Sequence, residues 1–217
     1  MPEAPTDDPY GGRRPTSHER QAGQPWDASY VDGPAPWDLG EPQPAVLRLV
    51  DEGVFAGAIL DAGCGTGTHT LHLAALGLDV LGVDVAETAL AIAREQAAER
   101  AVDARFATAD ALHLGALGRG FDTVLDCGLF HAFDGDERRA YVASLASVVR
   151  PGGKVYVLCF SDAGPEACGP HPVGWEELSA AFERGGGWSV VSVRPERLQT
   201  RFAPQGVPAW LAVVERT

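Results

Sequence analysis

The stretch Ile59-Leu60-Asp61-Ala62-Gly63-Cys64-Gly65-Thr66-Gly67 limits the fold more than any other part of the chain. Two large apolar residues run into an acid, and glycines at every second position then interrupt regular pairing. Such a run reads as a buried strand that ends in a tight turn and continues as a helix. The glycines serve where the backbone visits positive φ and where a ligand must approach it without meeting a Cβ. A strand feeding a helix in this way opens a βαβ unit, and the turn then lies at the carboxyl edge, where open α/β sheets bind their ligands.

The rest of the chain continues the alternation. Strands are expected at Ala58 to Ala62, Val80 to Val85, Ala104 to Thr108, Thr123 to Asp126 and Lys154 to Phe160. Helices are expected at Ala45 to Glu52, His69 to Leu76, Thr88 to Arg100 and Glu137 to Val149. In the last of these Tyr141, Leu145 and Val148 share one face. After a helix at Trp175 to Glu183, the runs Trp188 to Val193 and Ala209 to Val214 follow with no helix between them and can pair antiparallel. The expected fold is therefore α/β: a Rossmann-like, doubly wound sheet of seven strands, mostly parallel with an antiparallel final strand, and helices on both faces. Residues 1 to 24 are rich in Pro, Gly, Asp and Arg without periodicity, and a disordered tail is expected there. Residues 25 to 217 form one domain, of which 25 to 57 are an entry segment and first helix.

A dinucleotide-binding turn would read G-x-G-x-x-G, yet counting from Gly63 the third slot holds Thr68, and the glycines fall as G-x-G-x-G. Asp61 also argues against a pyrophosphate, which it would repel, and for an ammonium or sulfonium, which it would attract. Asp84 ends the second strand one helix and one strand later and returns to the same sheet edge. A carboxylate there can accept hydrogen bonds from both hydroxyls of a ribose. Asp110 follows the third strand in the same position. Three strand-end acids in register suit a nucleoside ligand better than three unrelated turn residues.

Read together, D-A-G-C-G-T-G at Asp61, VLGVDV at Val80, FDTVLDCGLFHAF at Phe121 and RPGGKVYVLCFSD at Arg150 resemble the class I S-adenosylmethionine-dependent methyltransferases. In the last of these, Pro151-Gly152-Gly153 is expected to turn the chain into the fifth strand. PWDASYVDGPAPWDLGEPQP, from Pro25, is similar to the entry segment of small-molecule enzymes related to the thiopurine, thiol and halide methyltransferases. The resemblance implies S-adenosylmethionine as cofactor and places Asp61, Gly63, Cys64, Gly65, Asp84, Val85, Asp110, Ala111 and Cys127 beside it. Asp110 would meet the adenine amino group and Ala111 would offer a backbone donor to the ring. Trp37 becomes a residue that covers the cofactor. Trp26 and Tyr30 flank the acceptor, or alternatively close one face of the core.

The acceptor end is less legible. Phe130 and Phe160 sit at strand carboxyl ends and are assigned to an apolar pocket. His131, just past the fourth strand, is the best-placed general base if the acceptor must lose a proton, and His171 is a weaker second. The formal charge of −13 with scattered basic residues disfavours nucleic acid and anionic membranes as partners and suits a small neutral or weakly acidic molecule. Cys64, Cys127, Cys159 and Cys168 lack metal-ligand spacing, so free thiols and no metal are expected. No run of about 18 apolar residues or N-terminal signal stretch occurs, and the expected compartment is the cytoplasm. The expected activity is methyl transfer to sulfur, nitrogen or oxygen of a small molecule, with a thiol or heterocycle favoured. The alternatives are a nicotinamide-dependent oxidoreductase or a non-catalytic cofactor-binding module. The sequence is silent on oligomeric state.

Overall fold

A computed structural model describes residues 8–163 and 171–217. Seven strands form one sheet: β1 (Ala58–Ala62), β2 (Asp79–Asp84), β3 (Arg105–Thr108), β4 (Phe121–Cys127), β5 (Val149–Phe160), β6 (Trp188–Thr200) and β7 (Ala203–Arg216). Their spatial order is β3-β2-β1-β4-β5-β7-β6. Strands β3, β2, β1, β4 and β5 pair in parallel, whereas β7 runs antiparallel to both β5 and β6. The final strand is thus the antiparallel one, as the helix-free interval before it indicates. The order reverses direction at β1, so the crevice between β1 and β4 is where a ligand is received.

Alternate residues along each central strand face two different cores. Leu60, Val124, Val155 and Val157 pack with Tyr141, Leu145 and Phe182 from α5 (Gly135–Ala146) and α6 (Trp175–Gly185). Ile59, Leu125, Tyr156 and Leu158 face Val46 and Leu49 of α2 (Pro44–Asp51) and Leu73 of α3 (Thr68–Ala75). A strand apolar on both sides needs a helical cover on both sides, which gives the doubly wound form. Between β2 and β3 runs α4 (Glu87–Glu99), whose small residues Ala89 and Ala93 let it lie close to the sheet. Pro151-Gly152-Gly153 differs from the expected turn: β5 already begins at Val149, and the glycines lie within it, where the register with β4 shifts between Phe121 and Thr123.

The expected disorder of residues 1 to 24 does not hold for the described part of that segment. Ser17–Ala22 forms a short helix, α1, capped reciprocally by Thr16 and Glu19 and ended by Gly23 in the left-handed region. Glu19 is fully buried and accepts from the Thr16 N–H at 2.9 Å, the Trp26 N–H at 3.0 Å and Arg13 Nη1 at 2.6 Å. Ser17 donates from both N–H and hydroxyl to Glu137 of α5, each at 2.6 Å. The segment is ordered by charge-assisted bonds, local ones to Glu19 and distant ones to Glu137, rather than by an apolar stripe, so periodicity could not reveal it. Residues 1–7 and Cys168 lie outside the described residues. Among the described residues no helix is long and apolar enough to cross a membrane.

Candidate active site

The glycine turn after β1 is built as the sequence requires. Gly63, Gly65 and Gly67 have φ of +71°, +53° and +78°. The N–H groups of Gly63 and Cys64 both donate to the Val83 carbonyl at 2.9 Å, which ties the turn to β2. A Cβ on Gly63 would stand 3.1 Å from Leu129, and one on Gly65 would stand 3.1 Å from the Tyr30 hydroxyl, so the turn fits closely under its neighbours.

Asp84 closes this geometry. Its Oδ2 accepts from the Gly65 N–H at 2.8 Å and its Oδ1 from the Ala86 N–H at 2.9 Å. Burial pushes its carboxyl above the ordinary range, and these N–H donors counter part of that rise. Each oxygen keeps a further acceptor site, which is what a vicinal diol needs. Asp110 caps the 3-10 turn Ala111–Leu117: Oδ1 accepts from the Leu112 N–H at 2.9 Å, and Oδ2 lies 3.0 Å from His113 Nδ1.

A cavity of about 300 Å³ opens at these strand ends. Its floor is Gly63, Asp84, Val85, Asp110, Ala111 and Cys127, with the two carboxylates as its charged groups. Its roof is Trp26, Tyr30 and Trp37 from the entry segment, and Phe160 and His131 stand at the far side. The roof is a connected unit. Trp37 Nε1 donates to the Tyr30 hydroxyl at 3.2 Å, and both rings meet edge to face, as do Trp26 and Trp37. Trp26 also stacks on His18 with centroids 4.3 Å apart. All three aromatics line the cavity, and Tyr30 is at the same time buried in a small core cluster with Ala35, Ala86 and Ala89. Cys64 and Gly65 line a smaller recess continuous with it through Gly63, Tyr30, Trp37, His69 and Cys127. Burial holds the Cys64 and Cys127 thiols well above their ordinary pKa, so both are uncharged walls.

Two expected residues do not reach the cavity. Asp61 is buried behind the turn, where Thr70, on the third residue of α3, donates to its Oδ2 at 2.6 Å. Burial pushes its carboxyl up to about 6. It anchors α3 to β1 and lies outside the cavity lining. Phe130 is turned into the core, stacked on Phe182 at 6.0 Å and packed against Tyr141, because the 3-10 turn Phe130–Ala132 rotates it away from the strand end. The ring that takes its expected place is Phe133.

His131 lines the cavity, with one of its ring nitrogens already bonded. The Phe160 N–H donates to its Nδ1 at 3.1 Å, and its ring stacks on that of Phe160 with centroids 4.0 Å apart. The lone pair of Nδ1 is taken, so the neutral ring carries its proton on Nε2 and neither nitrogen is free to receive another. Burial, with Arg138 adding to it, lowers the pKa to about 3. The turn bearing His131 is held from below, where Asp126 Oδ1 accepts from the Leu129 N–H at 3.0 Å and the Phe130 N–H at 3.2 Å. Arg138 of α5 holds it from the side, bonding the carbonyls of Phe130 at 3.3 Å and His171 at 2.7 Å and pairing with Glu177 at 2.5 Å. His171 bonds Ser17 Oγ at 3.2 Å outside the cavity. His69 accepts from the Gln43 N–H at 3.2 Å, and burial lowers its pKa to about 4.

Several cavity residues gave no sequence signal. Arg13, from the N-terminal segment, lines the cavity while paired to Glu19. Leu198 and Thr200 of β6 line the cavity as well, beside Phe202, whose aromatic type makes it a pocket candidate. Asp38 lines the small recess and accepts from the Thr66 hydroxyl at 2.7 Å. Asp38 follows directly on Trp37, and its adjacency to an aromatic expected over the cofactor was the available clue.

A glycine cradle that a Cβ would fill, a doubly held carboxylate with spare acceptor sites and an aromatic roof together define a nucleoside-cofactor site of the class I methyltransferase kind. Residues 59–153 match the family model of a methyltransferase domain. Over 166 residues the chain is 37% identical to the 2-heptyl-1-hydroxyquinolin-4(1H)-one methyltransferase of Mycobacteroides abscessus, covering 75% of this chain and 72% of that protein. The chain belongs to the class I S-adenosylmethionine-dependent methyltransferases, small-molecule type. It is also 26% identical over 193 residues to thiocyanate methyltransferase 1 of Brassica oleracea, covering 85% of this chain and 83% of the relative. A solved structure reported for the conversion of a disulfide bond into a thioacetal group during echinomycin biosynthesis matches with a TM-score of 0.76 and 38% identity, over 83% of this chain and 84% of that one. The magnesium protoporphyrin IX methyltransferase of Synechocystis with bound S-adenosylmethionine matches at 0.61 and 25% identity, over 80% and 76%. The cofactor is S-adenosylmethionine, and the oxidoreductase and non-catalytic readings fall away.

Proposed function

We propose that the methyl acceptor is a planar aromatic or heteroaromatic molecule carrying a hydroxyl or thiol, bound at the end of the cavity formed by Phe133, Phe160, Leu198, Thr200 and Phe202. The observation that carries this reading is the wall itself: three aromatic rings and a leucine suit a flat apolar body and offer little to a small hydrated anion. The relative from Mycobacteroides abscessus acts on a hydroxyquinolone, which is of this chemical kind.

The residues present fit the cofactor. In this reading Asp84 accepts from the ribose hydroxyls. Asp110 and the Ala111 N–H meet the adenine between Val85 and the roof. The backbone of Gly63, Cys64 and Gly65 with Asp38 receives the amino-acid end, and Asp38 takes the electrostatic part that Asp61 cannot. Trp37 covers the cofactor, and Trp26 and Tyr30 extend the roof toward the acceptor. When bound, S-adenosylmethionine supplies a methyl group on a sulfonium centre. The chain's contribution is to hold the acceptor in line, to exclude water with the aromatic roof, and to stabilise charge through nearby rings.

The test is a screen with methyl-labelled cofactor over hydroxyquinolones, phenols, azoles, thiols and halides, alongside calorimetry with S-adenosylhomocysteine. Turnover is expected for flat ring acceptors at well above the rate for thiocyanate or iodide. Turnover confined to the small anions, with the rings inert, would refute the acceptor class while leaving the cofactor assignment intact.

A further inference from the structure

His131 and Thr200 are the buried polar residues at an otherwise largely apolar acceptor end, and the two nitrogens of His131 have different fates. Nδ1 is committed to the Phe160 N–H at 3.1 Å. Nε2 has no hydrogen-bond partner among the described residues, yet it is not sealed in the core, and the residue lines the cavity. The ring cannot pivot to change this, since it is stacked on Phe160 and its turn is pinned by Asp126 and Arg138. The charged or titratable groups facing it are Arg138 of α5, His18 of α1 and His171 ahead of α6, all of which oppose a positive charge on the ring. Glu177 is spent on Arg138 and Asp126 on the turn N–H groups.

We infer that His131 is a fixed hydrogen-bond donor, and that its Nε2–H binds the ionised oxygen or sulfur of an acceptor that has already lost its proton to solvent. This deepens the acceptor reading above and rests on it. A fixed N–H donor in a largely apolar wall stabilises an anion far more than the same bond does in water. The site therefore selects acidic acceptors such as N-hydroxy heterocycles, electron-poor phenols and aromatic thiols over alcohols and amines. In the transfer the acceptor's anionic atom uses a lone pair to form the new bond to the methyl carbon as the carbon–sulfur bond breaks. That bond's electron pair stays on sulfur as S-adenosylhomocysteine, and His131 keeps its proton throughout.

Three measurements test this in the full chain. First, ¹⁵N spectra of the S-adenosylhomocysteine complex should show His131 protonated on Nε2 only, with no titration between pH 5 and 8. A proton on Nδ1, or a titration in that range, overturns the inference whatever the acceptor proves to be. Second, 4-nitrophenol followed by its phenolate absorbance should bind to that complex with its pKa lowered by about one unit. His131→Phe, which keeps the stack, should abolish the lowering, and His131→Gln, which keeps an N–H, should restore most of it. Binding of the neutral phenol, or an unchanged value in His131→Phe, overturns the inference. Calorimetry with S-adenosylhomocysteine should give wild-type affinity for both variants, which shows that they are folded. Third, over a series of acceptors the acidic limb of kcat/KM should follow each acceptor's own pKa. A common limb shared by all acceptors and lost in His131→Phe would make the histidine a base. Failure of every ring acceptor to bind would refute the acceptor class, and the ¹⁵N result would still decide the state of His131.

Discussion

Asp126→Asn is the substitution whose consequence can be worked out most fully. Asp126 is completely buried at the end of β4, and burial pushes its carboxyl from the ordinary 3.8 up to about 7, against the N–H bonds from Phe130 and Leu129. Its Oδ2 and the Tyr141 hydroxyl face one another inside the core without a well-formed hydrogen bond. The folded chain thus holds a proton that the unfolded chain releases about three pH units lower. Between those two values the unfolded state binds fewer protons, so stability falls as pH rises. The loss is complete above pH 7 and amounts to about 4 kcal/mol for this one group. Asparagine keeps the Oδ1 acceptor for the His131 turn and offers Tyr141 an N–H in place of an anion. Urea unfolding of both proteins by circular dichroism at pH 5 and pH 8.5 isolates the group, because the other titrations are common to both. The variant should gain about 3 kcal/mol on wild type between the two pH values. A difference independent of pH, or one that favours wild type at pH 8.5, would show that Asp126 is ionised in the fold and that the turn is held by a charge.

Other expectations follow from the site. Asp84→Ala removes the acceptor of the Gly65 and Ala86 N–H groups and should weaken S-adenosylhomocysteine binding by calorimetry ten-fold or more, on the order of 1.5 to 3 kcal/mol; unchanged affinity would remove Asp84 from the ribose. Glu19→Gln should loosen the N-terminal segment, raising its backbone hydrogen exchange and weakening cofactor retention, while the sheet melts at nearly the wild-type temperature. In wild type, burial pushes Glu19 up, but Arg13 and the N–H donors of Thr16 and Trp26 outweigh it and hold it below its ordinary value. Its stabilisation is therefore present above the unfolded carboxyl pKa and lost as pH falls through the lower folded value, a limb that Glu19→Gln should lack. Gly67→Ala places a Cβ 2.7 Å from Phe106 and 2.9 Å from the Ala93 Cβ at a φ of +78°. It should cost about 2 to 4 kcal/mol in urea unfolding, and a cost under 1 kcal/mol would mean that the turn adjusts freely.

What the sequence determined by itself is whatever short-range pattern encodes. Ala58–Ala62 is bounded as the apolar run indicates, and the glycines at 63, 65 and 67 carry the positive φ that their spacing requires. Asp84 and Asp110 reach the cavity because one helix and one strand return the chain to the same sheet edge, a distance that counting residues supplies. Three-dimensional packing decided the rest. Whether Asp61 faces a ligand depends on Thr70 standing over it, and whether Phe130 or Phe133 enters the pocket depends on how a 3-10 turn rotates, neither of which leaves a mark in composition. The segment before Trp26 looks unstructured because its order comes from a buried Arg13–Glu19 pair and from Glu137, more than a hundred residues away. The chemistry of His131 was set in the same way. A histidine after a strand is a plausible base by type, and only the backbone N–H of Phe160, brought to its Nδ1 by the neighbouring strand, makes it a donor. A side chain's identity fixes which protons it can carry, and its neighbours in space fix which one it does.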